Sequence, residues 1–401
     1  MLDRRHILKL FAGWPLLGGL ASSGWVTKAS GAARPISPAR DYLAELGIRP
    51  VINCQGVVTT LTGSLLPPEV VAAMNAVSRH FVNLGDLNEK AGAQMARMLR
   101  CEDAMVTCGA ASAITLATAA AITGQDGKKI REIPNFSGEL REVIVPAGHL
   151  VYTQQFLVCG VKIVEVRSAA QMEQAITPRT AIAFYLNKAH PQSVDRAEFL
   201  RIAKKHRVPA FIDCASDVPP VENLFKYTEM GFDLVTFSGG KAISGPQSAG
   251  LLYGRKNLIE AARLNHSPHQ SIGRAMKVSK EEIVGMMVAL EVYLKRDHAA
   301  EWRGWERSRQ TIGDAIKSLP SVVLEPFMPE VANQVPHLRV RWDEPKFKLT
   351  YAEAVRRLRE GNPAIEVQGG RDSITYNMFM VQPGEAEIVA RRSREVLSGG
   401  G

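Results

Sequence analysis

The chain has 401 residues, 46% of them apolar and 22% charged, proportions that suit one large and one smaller globular domain and exclude a disordered or low-complexity polymer. Of the net charge of +9, residues 1–31 carry Arg4, Arg5, Lys9 and Lys28 against Asp3, so the rest is nearer +6 and is not a polycation. Five cysteines, Cys54, Cys101, Cys108, Cys159 and Cys214, lack the spacing of a metal site, so no metal is expected; free cysteines in apolar runs behave as small hydrophobes, and an oxidising compartment leaves one pairing open.

The first 33 residues read as an export signal. Arg4-Arg5-His6-Ile7-Leu8-Lys9 is a twin-arginine pattern, followed by a modest apolar stretch over 10–20 and a small-residue region at 29–33. Asp3 before the pair and Ile7 after it depart from the strongest pattern. Lys28 near the cleavage region suits a route that carries folded proteins, and the expected location is the periplasm or the outer face. The apolar stretch is too short to span a bilayer.

Residues 35–49 are polar and contain prolines, and 51–58, VINCQGVV, form a predicted strand that runs into 59–64. Pro67-Pro68-Glu69 opens a helix, with proline in its first turn, where a missing donor costs nothing. Asn83-Leu84-Gly85-Asp86 breaks it, and an amphipathic helix follows over 87–99. A short strand, 104–107, then meets Cys108-Gly109-Ala110-Ala111-Ser112-Ala113 and an alanine-rich helix to residue 122. Strand, small-residue turn and helix start present free backbone N–H groups to a phosphate, and serve tight helix-to-sheet packing equally well.

Residues 142–149, EVIVPAGH, make a strand that ends in Gly148-His149; 162–166 and 180–186 are two more, and a helix over 196–206 precedes the strand 208–213, VPAFID. Asp217, in Ser216-Asp217-Val218-Pro219-Pro220, reads as turn chemistry. The β, α, β alternation predicts a mainly parallel sheet with helices on both faces.

The chain is organised around residues 232–254, FDLVTFSGGKAISGPQSAGLLYG. An apolar strand stops at Ser238-Gly239-Gly240, Lys241 follows at once, and a second apolar strand resumes at residue 249. A lysine held between glycines beside core strands is poorly solvated, which lowers an amine's pKa towards the nucleophilic range that imine formation needs. With its flanking strands, SGGKAISGPQSAG resembles the cofactor-lysine segment of the selenocysteine synthase family of fold type I pyridoxal-phosphate enzymes, whose relatives include the D-glucosaminate-6-phosphate ammonia-lyases. The resemblance extends from about residue 50 to the C-terminus.

The resemblance implies an α/β, fold type I architecture: a large domain with a mainly parallel seven-stranded sheet and a small C-terminal α/β domain. It implies pyridoxal 5'-phosphate on Lys241, with Gly109, Ala110, Ala111 and Ser112 around its phosphate, Ser238 reaching the same phosphate, and His149 stacked on the ring. Asp213 ends a buried strand, where an acid is costly unless it meets a cation, and a protonated pyridine nitrogen supplies one. Segment 59–64 is expected to look onto the site.

Downstream, Asn265 to Arg274 is a polar loop in which His266 and His269 resemble metal spacing without a third ligand. Arg274 and Lys277 stand where the family carries two arginines for an anionic substrate; lysine keeps the charge and loses the bidentate geometry. Ser279-Lys280-Glu281-Glu282 is a capping box that starts a helix to about residue 295, with Met286, Met287, Leu290 and Tyr293 at core spacing. Arg339, Arg341 and Arg371 could each hold a substrate carboxylate. The clusters at 356–359 and 391–394 lie among glutamates as solvated helix faces, and no nucleic-acid partner is expected.

The domains are read as 1–33 signal, 34–66 N-terminal segment, 67–295 cofactor-binding domain and 296–401 small domain. The expected activity is a lyase that eliminates or deaminates a small amino acid or amino-sugar acid to a 2-keto acid and ammonia, in a homodimer or larger ring. Selenium transfer by β-replacement is the alternative, ahead of racemase or aminotransferase chemistry and of binding without turnover.

Overall fold

The structure, a computed structural model, describes residues 40–148, 150–187 and 193–399, and residues 1–49 and 50–401 form separate compact units. Of the first unit, residues 40–49 hold one helical turn, Tyr42–Glu45, whose N-cap Asp41 accepts from Ala44 N at 3.0 Å. The twin-arginine pattern and the rest of the predicted signal lie outside the described residues.

In the second unit the described strands are β1 (Val51–Cys54), β2 (Asp103–Thr107), β3 (Glu142–Pro146), β4 (Lys162–Val166), β5 (Thr180–Leu186), β6 (Ala210–Asp213), β7 (Leu234–Ser238), β8 (Gly250–Gly254), β9 (Val323–Phe327), β10 (His337–Arg341), β11 (Ala364–Gly369) and β12 (Ile374–Asn377). Seven of them form one sheet in the order β2-β8-β7-β6-β5-β3-β4. β8 runs against both its neighbours, and the other pairings are parallel, as the alternation of strand and helix predicts. Both faces are covered. Along β5, Ala183 and Tyr185 enter one core with Ile212, Val235, Phe237 and Tyr253, while Ile182, Phe184 and Leu186 enter another with Phe211, Leu234 and Leu252. A strand buried on both sides needs the unbroken apolar run that TAIAFYL supplies.

The second sheet has the order β1-β11-β12-β10-β9 and is antiparallel except where β1 pairs with β11. One of its faces carries an apolar core: Ile52, Cys54, Leu338, Val340, Ile365, Val367, Ile374 and Tyr376 share it with the helices His298–Ile316 and Glu385–Leu397. β1 thus joins strands more than 300 residues further along the chain, by the register Val51 to Ala364.

Two local readings change. Asn83 does not break a helix but caps one: its Oδ1 accepts from Asp86 N at 3.1 Å, and the helix runs Leu84–Leu99. The capping box at Ser279 forms as predicted, with Glu282 N donating to Ser279 Oγ at 3.1 Å and Ser279 N to Glu282 Oε2 at 2.7 Å. The helix it starts, Lys280–Lys295, buries Met286, Leu290 and Tyr293, with Met287 partly covered. The five cysteines are free thiols.

Candidate active site

The carboxyl ends of the parallel strands lie along one edge of the seven-stranded sheet, where ligands of open α/β sheets bind. Gly250, at the start of β8, pairs with Ser238 on one side and Thr107 on the other. This register brings the lysine loop beside the start of the helix Gly109–Thr123. The approach is close enough that a Cβ on Gly250 would stand 2.3 Å from the Gly109 carbonyl carbon. Gly109 itself has φ +74, a left-handed conformation in which glycine is unstrained. The helix begins with no side-chain cap from Cys108, so its N-cap side chain satisfies none of the first N–H groups.

Lys241 is half-buried, with its backbone in a tight turn: Ser244 N donates to Lys241 O at 2.9 Å, and Gly245 N to Gly239 O at 2.8 Å. Gly240 is required here, because a Cβ would lie 2.3 Å from Gln247 Cα. Ala242 and Ile243 anchor the turn in the core. Segment 59–64 does meet this loop, with Ser64 N donating to Gly240 O at 3.1 Å. Lys241 Nζ donates to Ser216 Oγ at 2.6 Å.

Asp213 ends β6 and is buried, with Oδ1 accepting from Ala215 N at 2.9 Å. Burial pushes its pKa up to about 6, against the pull of the Ala215 amide and the Lys241 ammonium and with a further push from Asp217. Tyr152, in the short turn Leu150–Tyr152, feels the Asp213 charge; its phenol is raised first by burial and then by that carboxylate.

Asp217 does close a turn, its N donating to Cys214 O at 2.9 Å, but its side chain is also a buried acceptor: Asn187 Nδ2 donates to Oδ2 at 2.7 Å, Tyr227 OH donates to the same oxygen, and Ala332 N reaches Oδ1 at 3.3 Å. Burial raises its pKa, while the bonds from Tyr227 and Ala332, Arg196 and the Asn187 amide oppose the rise. Asn333 N also donates to Ser216 O at 2.8 Å. Ala332 and Asn333 are left-handed, with φ +55 and +47, a conformation that costs a residue with a Cβ roughly 1–2 kcal/mol. Their successive amides converge on residues 216 and 217, and those bonds hold the strained bend. The rule that singled out Asp213, a polar residue at the carboxyl end of a buried strand, would also have found Asn187 after β5. Nothing local in the sequence marks Tyr227 or Ala332 as neighbours of Asp217.

Among the predicted site residues, Gly109, Ala110, Ala111, Ser112, Asp213, Ser238 and Lys241 come together on this edge. His149 lies outside the described residues. Arg274 and Lys277 are exposed and line a cavity of about 530 Å³ with His80, Phe81 and Ser279, a lining that includes neither Lys241 nor Asp213. His266 is a core residue, with Nε2 donating to Met276 O at 2.8 Å and its pKa pushed down to about 4 by burial. Arg339 and Arg341 both bind Glu325, at 2.7 and 2.5 Å.

A family model described as SelA, L-seryl-tRNA selenium transferase, matches residues 51–303. The D-glucosaminate-6-phosphate ammonia lyase of Salmonella typhimurium (strain 14028s / SGSC 2262) is 31% identical over 372 residues, covering 88% of this chain and 96% of the relative. A 5'-C-glycyluridine monooxygenase-decarboxylase from a Streptomyces species is 27% identical over 374 residues, covering 88% and 91%. The solved structure of D-glucosaminate-6-phosphate ammonia-lyase matches with a TM-score of 0.77 and 30% identity, over 90% of this chain and 99% of that one. The chain therefore belongs to the selenocysteine synthase (L-seryl-tRNA selenium transferase) family and has the fold type I architecture of pyridoxal-phosphate enzymes.

Proposed function

We propose that this chain is a pyridoxal-phosphate-dependent lyase that removes ammonia from a small amino acid or amino-sugar acid to give a 2-keto acid. The observation that carries the reading is Asp213: a carboxyl group buried at a strand end, its pKa raised by that burial, on the edge that also holds Lys241 and a helix start without a side-chain cap. These residues fit the cofactor. Asp213 would face its protonated ring nitrogen, the amides at 110–112 and the Ser238 hydroxyl would hold its phosphate, Lys241 would carry it, and His149 would cover the ring. When bound, the cofactor supplies a carbonyl for the lysine amine and an electron-poor ring that stabilises negative charge at the substrate α-carbon.

Lys241 would be the residue that carries the cofactor, and its amine would serve as the base for the substrate α-proton. Ser216 Oγ, which accepts from Lys241 Nζ at 2.6 Å, steers its amine, and Asp213 would offer a negative charge to the ring nitrogen. Loss of a β-substituent then leaves a dehydroamino acid, which water converts to keto acid and ammonia. Arg274 and Lys277, exposed on this subunit, would serve an anionic substrate from a neighbouring copy in a homodimer or larger ring. On the twin-arginine reading of residues 1–33 the enzyme would work in the periplasm or at the outer face.

β-Replacement, as in the selenium transferases, is the second reading, favoured by the family model over 51–303. The test incubates the purified chain with D- and L-serine-like amino acids and aminosugar acids and scores keto acid against retained amine. A transfer RNA shift assay runs in parallel. Keto acid supports the lyase, and a specific shift without keto acid replaces it with the transferase. No exchange of the α-hydrogen in deuterated water with any amino acid, together with no transfer RNA shift, overturns both.

A further inference from the structure

We propose that Asp217 is a positioning residue for the reacting lysine, holding the Ser216 hydroxyl against Lys241 Nζ through a buried clasp closed by the bend at 332–333. The inference rests on the reading of Lys241 as the reacting amine. Four segments distant in sequence meet at this carboxylate: Asn187 from the end of β5, Tyr227 from the helix Asn223–Met230, the 213–217 loop itself, and the Ala332–Asn333 bend that precedes β10. The loop is held on both sides of residue 216. Asn223 Nδ2 donates to the Asp217 carbonyl at 2.6 Å, and Asn333 N donates to the Ser216 carbonyl at 2.8 Å. Ser216 therefore has little backbone freedom, and its Oγ meets Lys241 Nζ at 2.6 Å.

A lysine side chain has four rotatable bonds, so an amine that must meet one carbon gains from a fixed partner. The clasp supplies that partner without lending a side chain to the reaction. It also ties the lysine to a stretch that leads into the five-stranded sheet, because Ala332 and Asn333 keep their left-handed conformation only while their amides have Asp217 and Ser216 to bind. Asp217→Asn keeps the shape but turns one accepting oxygen into a donor that faces either Asn187 Nδ2 and Tyr227 OH or the Ala332 N–H.

The experiment labels the full purified chain, free of cofactor, with acetic anhydride at fixed pH and follows acetylation of the Lys241 peptide by mass spectrometry. Asp217→Asn and Ser216→Ala are each expected to change the Lys241 rate about tenfold in the same direction, the scale of a misplaced reacting group. The double variant is expected to change it no further, and Lys128 and Lys256, both solvent-facing, should label as in the parent. Additive effects, or a lower melting temperature with the Lys241 rate unchanged, overturn the proposal by reducing Asp217 to a packing role. Should Asp217→Asn not accumulate as folded protein, Tyr227→Phe removes one donor only. It should move the rate in the same direction by less, and an unchanged rate overturns the clasp. Borohydride trapping on the parent chain tests the cofactor reading separately: without a pyridoxyl adduct on Lys241 that reading falls, while the labelling cycle still decides the clasp.

Discussion

At the amino-terminal edge of the seven-stranded sheet, acids that leave the solvent are met by arginine. Asp103, at the start of β2, receives both arms of Arg263 at 2.6 and 2.7 Å, and Asp233, just before β7, receives Arg255 at 2.9 Å. At the carboxyl-terminal edge, Asp213 and Asp217 take their hydrogen bonds from backbone amides, an amide side chain and a phenol. A bidentate arginine satisfies a carboxylate in charge and geometry, and such a site has nothing left to offer a ligand. Asp213, raised to about 6 by its burial, still has a use for a cation. The same sheet thus carries scaffold on one edge and chemistry on the other, and the partner of each acid separates them.

If that division holds, the largest effect of any single change is on the chemistry alone. Lys241→Ala should lower turnover about 10⁴-fold, the upper range for loss of a positioned proton-transfer group, with the melting temperature of the cofactor-free chain unchanged. Keto-acid release and thermal unfolding on one preparation check both halves. The next effect lies on the opposite edge and has the opposite character. Asp103→Asn leaves Arg263 largely buried with its charge partner gone and one of two accepting oxygens lost, which costs about 3 kcal/mol of stability. Cofactor affinity should not move, and a fall in affinity to match the fall in stability would dissolve the distinction between the edges.

How much of this was legible in the chain depends on distance along it. The central strands β5, β6 and β7 are largely apolar runs that stop at asparagine, aspartate or glycine, so their ends and the edge where Asp213 and Lys241 meet follow from local pattern. Lys241 announced itself through SGGK between two such runs. Asn83 was misread because an asparagine with a glycine two residues on reads as a break, while its side chain was needed by an amide three residues on. β1 joins a sheet built from residues beyond 320, and Asp217 meets a backbone amide 115 residues away. Contacts of that span are set by the packing of the whole domain and leave no local mark.

Asp213 also makes a prediction that needs no substrate. Its folded pKa of about 6 lies above the ordinary 3.8, so its contribution to the cofactor-free chain is fully present below about pH 3.8 and is lost as pH rises to about 6. Asp213→Asn removes that slope and, at neutral pH, should leave the cofactor-free chain more stable by up to about 3 kcal/mol. His266 tilts the other way: held neutral down to about pH 4 from an ordinary 6.5, it adds stability above pH 6.5 that is lost as pH falls through 4. Urea titrations across this range, with Asp213→Asn and His266→Gln, separate the two slopes. With cofactor present the same Asp213→Asn change should weaken cofactor binding about 100-fold, the scale of losing one buried charge-assisted bond.

The smallest effect tests whether an arginine partner or burial decides the cost on the scaffold edge. Arg255 and Asp233 form an ion pair like that of Arg263 and Asp103, but the arginine side chain is 48% exposed against 16% for Arg263. Asp233 keeps a second bond, accepting from Ala210 N at 2.8 Å on its other oxygen. With Arg255→Gln, water can replace the guanidinium and the Ala210 amide stays in place, so the loss should be about 0.5 kcal/mol and shrink further in high salt. A loss as large as that of Asp103→Asn would mean that the amino edge is one coupled network. The contrast between the edges would then rest on cooperation among its arginines rather than on how each acid is buried.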